Sequence, residues 1–357
     1  MSVRFGVVGC GAIHGTHCGA LQNIEGAQLV GVCDIEKPRA KEAGEKFGVK
    51  AFGSMKAMLP HVDAVCLCVP SGLHAKMGLQ AIAAGKHVVC EKPVDVTLKP
   101  AIQMVEAARS TGVKLTVISQ HRFGKAIRGV RQMVQSGELG QPLQGDAYVK
   151  WYRTQAYYDS GAWRGTHKLD GGCLMNQGVH YIDMIQWIMG GVESVTGVCR
   201  TVGHNMEAED LAVAVLEFKN GAIGVVQGST CFYPGFAERL EVHGTCGSVI
   251  VEGDRVKRQD IDPEAAKDPS PYGKGVTAQP TPSVHTQGEE ETTNTGASDP
   301  SAIWGEQHRL QLEDFTRAVL DNRDPFITGE MALEPLKVIL AIYRSAKLGG
   351  RRVKVGS

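Results

Sequence analysis

From residue 4 to residue 118 the chain repeats one rhythm: a short apolar run, a segment with helical spacing, then another apolar run. The runs cover 4–8, 28–33, 64–69, 87–90 and 114–118, and the segments 37–47, 73–84 and 101–110 between them carry apolar residues at helical intervals. Strands buried on both faces read as continuous apolar runs, and parallel strands need crossover helices to connect them. The rhythm therefore specifies βαβ units on a parallel sheet, and the expectation is a Rossmann domain over residues 1–122.

Beyond that point the order of elements changes. A helix over 124–136, a strand over 144–153 and a helix beginning near Gly172 lead into strands over 194–201, 211–218, 222–230, 239–243 and 248–251. Lys219-Asn220-Gly221 is a hairpin signal, and strands that follow one another this closely favour an antiparallel or mixed sheet. Residues 254–303 are rich in Pro, Gly, Ser and Thr, hold Glu289-Glu290-Glu291 and show no periodic apolar face, so they read as a loop-rich insertion. Helices over 306–321 and 332–347 and a strand over 352–355 close a second α/β domain, residues 123–357, with no internal repeat.

A length of 357 residues suits two domains, and 43% hydrophobic with 21% charged residues is ordinary globular composition. Lys and Arg total 38, as do Asp and Glu, so no positive surplus drives counterion release from a nucleic-acid backbone. No run approaches the roughly 18 apolar residues of a membrane span, and the start of the chain runs straight into a strand pattern, not a signal peptide. The expectation is a cytoplasmic protein with neither nucleic-acid nor membrane partners. Ten cysteines lie mostly in apolar runs and read as buried thiols; with no C-x-x-C pair and no H-x-x-x-H, no metal site is expected.

Gly9-Cys10-Gly11-Ala12-Ile13-His14 closes the first strand and opens a helix, where backbone N–H groups and the helix dipole can hold a pyrophosphate. His14 replaces the third glycine of the strict fingerprint, with Gly15 one place later. Asp34 ends the next strand pattern, where a carboxylate accepts hydrogen bonds from ribose hydroxyls. It would repel a 2′-phosphate, favouring NAD over NADP, although Lys37 and Arg39 lie close by. The carboxyl edge of an open α/β sheet binds ligands, and two later strands end there in Val69-Pro70-Ser71-Gly72-Leu73-His74 and Glu91-Lys92-Pro93. Lys92 therefore faces a site, with its backbone biased to an extended form by the following proline.

On the second domain, Asn176, His180 and Asp183 are spaced i, i+4 and i+7 on one helix face and either line a site or form a core network. Gly178 inside that helix costs about 1 kcal/mol against Ala, a cost understandable where a ligand or backbone approaches closely. Tyr148, Trp151, Tyr152, Tyr157, Tyr158 and Trp163 form an aromatic cluster suited to sugar rings or to a core. Arg153 and Arg164 are candidate anion binders, and Gln120 and His121 at the domain junction can meet nicotinamide or substrate. His14, His17, His74 and His167 read mainly as structural, although His74 lies in the Pro-Ser-x-x-His segment after a strand.

Taken together, the glycine turn, Pro-Ser-x-x-His after a strand, Ala-Gly-Lys-His-Val-Val-Cys-Glu-Lys-Pro at 84–93 and Gly178-Val179-His180-Tyr181-Ile182-Asp183 resemble the Gfo/Idh/MocA family of sugar and cyclitol oxidoreductases. The likeness spans about residues 3–252 and resumes in the last two helices. It implies a Rossmann domain, a C-terminal α/β domain with a large open, mainly antiparallel sheet, a dimer or tetramer, and hydride exchange between a sugar carbon and NAD. It also puts Gly9, Gly11, Ala12, Ile13, Asp34, Pro70, Ser71, His74, Glu91, Lys92 and Gln120 on the cofactor side. The segment 146–183, with Tyr-Val-Lys-Trp-Tyr-Arg, Trp-Arg-Gly-Thr and Met-Asn-Gln-Gly-Val-His, is similar to the branch oxidising UDP-N-acetylglucosaminuronate at C3, and glucoside 3-dehydrogenases share such features. Lys92, His121, Tyr148, Arg153, Trp163, Arg164, Asn176 and His180 are then the substrate-side residues.

Oxidising a secondary alcohol needs a base for the hydroxyl proton as hydride leaves the same carbon. Histidine, near pKa 6.5, is poised for this, whereas lysine, near 10.4, must be shifted down, for example by an oxidised nicotinamide. His180 is accordingly the expected base, Lys92 the donor that stabilises the developing alkoxide and Asn176 an orienting group, with the first two roles exchangeable. Asn176 stands where many relatives carry Asp, and an amide does not raise the histidine pKa as a carboxylate does. Two other readings accompany the dehydrogenase: redox-neutral glycoside cleavage through a 3-keto intermediate, and a non-catalytic dinucleotide sensor, which would need neither Lys92 nor His180.

Overall fold

The computed structural model describes residues 2–267 and 305–357. In chain order the elements begin β1 (Val3–Val8), α1 (His14–Gln22), β2 (Ala27–Cys33), α2 (Lys37–Phe47), β3 (Lys50–Phe52), α3 (Met55–Met58), β4 (Ala64–Leu67), α4 (His74–Ala83), β5 (His87–Cys90), α5 (Leu98–Thr111) and β6 (Leu115–Val117). There follow α6 (Lys125–Ser136), β7 (Pro142–Lys150), α7 (Gln155–Asp159), a π-turn (Leu174–Gly178) running into α8 (Val179–Ile188), β8 (Val192–Arg200), β9 (Leu211–Phe218) and β10 (Ile223–Ser229). The chain ends with β11 (Arg239–Gly244), β12 (Gly247–Glu252), β13 (Arg255–Ile261), α9 (Glu306–Leu320), α10 (Gly329–Lys347) and β14 (Val353–Lys354).

Two compact units form. The first holds residues 2–120, 167–170 and 305–336, and the second holds 121–166, 171–267 and 337–357. In the first, six strands in the order β3-β2-β1-β4-β5-β6 make the parallel Rossmann sheet. Strand β3, only three residues long, is the one the apolar rhythm does not reveal.

Residues 305–336 do not follow the expected boundary at 122/123. Helix α9 completes the first unit's core: Leu312 and Phe315 are fully buried with Val3, Phe5 and Leu21, and the Phe315 ring lies 6.3 Å from that of Phe5. A parallel sheet is buried on both faces, and α9 supplies part of that cover. Gln311, itself 1% exposed, locks the arrangement by accepting from Ser119 N at 3.0 Å and donating to Val117 O at 2.8 Å and Thr116 Oγ1 at 3.1 Å.

The second unit is built on an eight-stranded sheet in the order β13-β12-β11-β7-β10-β9-β8-β14, antiparallel except where β7 meets β10. Strand β13 corrects the reading of 254–303 as loop from its start: residues 255–261 pair with β12, and residues 268–304 lie outside the described residues. Each strand alternates its faces. On one face a methyl added at Gly145 would meet Met189 and Ile185, one at Gly228 would meet Leu174 and one at Gly197 would meet Ile342, so α8, its π-turn and the second half of α10 cover it. On the other face Val198, Val213, Val215 and Ile223 are exposed. No helix among the described residues is long and apolar enough to cross a membrane.

Candidate active site

In the first unit the candidate cofactor residues gather at the carboxyl ends of β1, β2, β4, β5 and β6. Gly9, with φ +93°, makes the turn after β1, and a methyl there would lie 2.4 Å from the Cys68 carbonyl oxygen. A methyl at Gly11 would meet nothing within 4 Å, which leaves open space above the loop formed with Ala12 and Ile13 at the start of α1. The carboxylate of Asp34 accepts from Cys10 N at 2.6 Å and Glu36 N at 2.7 Å, which ties the end of β2 to the glycine turn. Pro70 and the buried Ser71 shape the loop after β4, where Gly72 N donates to Leu169 O at 3.0 Å. Gln120 is 3% exposed, yet its Oε1 has no hydrogen-bond partner. A buried amide oxygen without a partner calls for a ligand donor, and open space over the glycine turn suits a pyrophosphate.

Lys92 follows β5 and enters a cis peptide bond with Pro93. Between Val88 and Val96 it is the one residue not fully buried. Two cofactor expectations are corrected beside it. The His74 ring is buried between carbonyl oxygens, Nδ1 2.7 Å from Pro93 O and Nε2 2.9 Å from Val69 O, so it ties two loops together and has no nitrogen left for a dinucleotide. Burial lowers its pKa, against the pull of both carbonyls. Glu91 is likewise turned inward: its Oε1 lies 2.7 Å from His17 Nε2, and both residues are buried. His14, as expected, is structural, with its Nδ1 hydrogen-bonded to Gly11 O and its ring edge-on to Phe47.

In the second unit, Asn176 and His180 are the only residues from Asp170 to Gln186 that are not fully buried. They sit on the π-turn and the first turn of α8, so one side of an otherwise enclosed helix opens at these two polar groups. Asp183 does not join them. Its carboxylate accepts from Arg122 Nε at 2.8 Å in a buried ion pair, and the Arg122 guanidinium stacks 4.9 Å from the Trp187 ring. The polar trio is therefore divided, with Asp183 in the core. His121 joins His180 instead, ring to ring at 5.1 Å and nearly perpendicular, with Asp254 Oδ1 3.5 Å from its Nδ1.

The other substrate candidates separate by exposure and by face. Arg164 is half-buried, its guanidinium 4.2 Å from the Tyr157 ring and 4.6 Å from that of Trp163, which is also half-buried. Arg153 is 4% exposed, stacked on Trp151 at 4.8 Å and donating to Tyr152 O at 2.8 Å, so it braces the aromatic cluster. Tyr148 points away from α8: Gly145, Ala147 and Val149 occupy the covered face of β7, and strand alternation sends Tyr148 to the other, where its hydroxyl donates to Asp146 at 3.2 Å. Burial and Asp146 push its pKa up to about 12. That placement removes it from the group around His180.

Several supporting residues escaped sequence reasoning. Glu209 accepts from Leu174 N at 2.9 Å and from Tyr343 Oη at 2.8 Å, capping the start of the π-turn that carries Asn176. Asp210 accepts from the backbone of Val202, Gly203 and His204, and His204 Nε2 reaches Arg153 O at 2.8 Å. Ile35, beside Asp34, is 94% exposed. The adjacent acids Glu209-Asp210 were a usable signal, because two carboxylates entering an apolar strand need partners.

Comparison with known proteins identifies the family. The model for an "oxidoreductase family, NAD-binding Rossmann fold" matches residues 3–119, and that for the "GFO/IDH/MocA C-terminal domain" matches residues 127–250. Myo-inositol 2-dehydrogenase of Thermotoga maritima is 28% identical over 319 residues, 87% of this chain and 93% of that protein. A crystal structure of the WlbA dehydrogenase from Bordetella pertussis in complex with NADH and UDP-GlcNAcA covers 100% of both chains at 30% identity with a TM-score of 0.84. Levoglucosan dehydrogenase, at 20% identity and a TM-score of 0.81, shares the fold. With both of its domains matched, this chain belongs to the Gfo/Idh/MocA family and is an NAD-dependent dehydrogenase of sugars or polyols.

Proposed function

We propose that the chain oxidises the C3 hydroxyl of a sugar carried as a nucleotide-sugar or glycoside, with UDP-N-acetylglucosaminuronate the first candidate. The observation that carries this reading is the pair Asn176 and His180, the sole breaks in an otherwise buried stretch of 17 residues, 170–186. The full-length likeness to the WlbA dehydrogenase solved with UDP-GlcNAcA supports the choice of substrate.

NAD supplies the hydride acceptor when bound. The turn Gly9-Cys10-Gly11-Ala12-Ile13 would hold its pyrophosphate, Asp34 its adenosine ribose and Gln120 its carboxamide, while the exposed Ile35 offers an apolar face for the adenine ring. His180 takes the hydroxyl proton, Lys92 donates to the oxygen as negative charge develops, and Asn176 orients the ring. Trp163 and Arg164 contribute an aromatic and cationic shelf for a sugar bearing a carboxylate or phosphate. Assembly through the exposed face of the second sheet as a dimer or tetramer, in the cytoplasm, completes the reading.

The test is absorbance at the nicotinamide reduction band with NAD and a panel of UDP-N-acetylglucosaminuronate, UDP-N-acetylglucosamine, glucose, simple glucosides and inositols. Reduction with the uronate, reduced at least about 100-fold in Lys92→Ala and His180→Ala, is expected for two acid–base groups. Reduction with inositols alone would overturn the substrate assignment.

A further inference from the structure

Glu91 stands directly before Lys92 and is 6% exposed, between His17 of α1, 0% exposed, and His308 of α9, 2% exposed. Its Oε1 lies 2.7 Å from His17 Nε2 and 3.7 Å from His308 Nε2, while its Oε2 accepts from the backbone N of Lys92 at 3.2 Å. The two imidazoles meet edge to face, centroids 5.8 Å apart. On the other side of Lys92 the Pro93 carbonyl is held by His74 at 2.7 Å. The lysine thus sits between two anchored points, with one buried carboxylate a single residue away.

Three buried groups of this kind also suit a metal ion, but the His17–Glu91 contact of 2.7 Å is a hydrogen bond, shorter than the roughly 3 Å between two ligand atoms sharing a metal at about 2.1 Å. A metal-bound histidine normally donates its second ring nitrogen, whereas His17 Nδ1 is buried without a partner. The arrangement is a hydrogen bond from His17 to Glu91, with His308 as a second, longer contact at 3.7 Å.

We propose that Glu91 is a positioning residue for Lys92: clamped by His17 and His308, its carboxylate fixes the backbone from which Lys92 projects and keeps a permanent negative charge beside the ammonium group. The inference rests on the proposed role of Lys92. Other titratable groups face the carboxylate without replacing it. His74 has both nitrogens on carbonyls, and the Cys66, Cys68 and Cys90 thiols are pushed well up by burial and stay neutral. Burial pushes the Glu91 pKa up, yet the His17 hydrogen bond and the proximity of His17, His308 and Lys92 hold it down at about 2. The charge therefore persists through the working pH range, and a negative neighbour favours the charged form of lysine.

Glu91→Gln keeps the shape and removes the charge. Its expected signature is a kcat at least 10-fold lower, a Kd for NAD within about 3-fold of wild type, and a basic limb of the kcat/KM profile moved down by about one pH unit, a tenfold loss of proton affinity. If that variant does not fold, His308→Gln serves: it leaves the His17 bond in place, weakens the counter-field on the carboxylate and moves the same limb upward. An unmoved limb in the folded variant, or kcat and NAD affinity falling together, overturns the proposal. So does a stoichiometric first-row metal in the purified holoenzyme that Glu91→Gln abolishes. Lys92→Ala runs alongside: wild-type turnover there removes the role of Lys92 itself, whereas loss there with an unmoved limb in Glu91→Gln removes only the present inference.

Discussion

A methyl group at Gly9 would lie 2.4 Å from a backbone oxygen at a φ of +93°, so two constraints act on one atom. Gly9→Ala is expected to destabilise the first unit by about 1–3 kcal/mol and to weaken NAD binding at least 10-fold, measurable by calorimetry. Such residues are legible in a sequence because glycine has a conformational meaning of its own. Polar side chains have none until their partners are known: His74 and Asp183 have the residue types of site groups, but burial assigned one to loop carbonyls and the other to Arg122. Glu209 shows the same dependence. Burial raises its pKa to about 7, outweighing the hydrogen bonds from Leu174 and Tyr343. An acid whose folded pKa exceeds its unfolded value near 4.3 binds more protons when folded, so its contribution is complete below about pH 4 and is lost as pH rises through 7. The wild type should therefore lose up to about 3 kcal/mol relative to Glu209→Gln between pH 5 and pH 8 in urea titrations. Equal pH slopes for the two proteins would contradict the assignment.

Helix α8 is continuous with the π-turn that precedes it. The apolar pattern located the helix, but a π-turn changes which residues share a face, and nothing in residue spacing announces it. Holding this helix is the buried Arg122–Asp183 pair, whose disruption leaves one charge without a partner. Arg122→Met should cost about 3–5 kcal/mol in urea denaturation, and Arg122→Met with Asp183→Leu should recover most of it. A single-variant loss below about 1 kcal/mol would show the pair to be solvated. Strand β13 was missed because Arg255–Ile261 is charged at four of its seven positions and pairs at a sheet edge, where polar residues are tolerated. Strand β9 is legible to the residue because its apolar run is framed by Glu209-Asp210 on one side and Lys219-Asn220-Gly221 on the other.

Across the whole molecule, periodicity identifies helices but not the core each one completes, which is why α9 was expected in the second domain and belongs to the first unit. A fragment of residues 1–122 lacks Leu312 and Phe315 over Phe5 and Leu21, and should be aggregation-prone and fail to bind NAD. Linking residues 305–336 to that fragment should restore a cooperative melt. On the second sheet, Val213 and Val215 are 44% and 47% exposed on the uncovered face, and apolar surface of that kind marks an interface. Val213→Glu with Val215→Glu should lower the mass seen by light scattering while leaving each unit folded.

Oxidation at C3 with hydride passing to NAD can be followed by supplying UDP-N-acetylglucosaminuronate deuterated at C3 and weighing the reduced cofactor. One deuterium on the nicotinamide and a primary isotope effect in single turnover are expected. Reduced cofactor without deuterium would place the oxidation at another carbon, and a sugar product that keeps its C3 deuterium but exchanges its C2 hydrogen with solvent, with no net reduced cofactor, would make the chemistry redox-neutral.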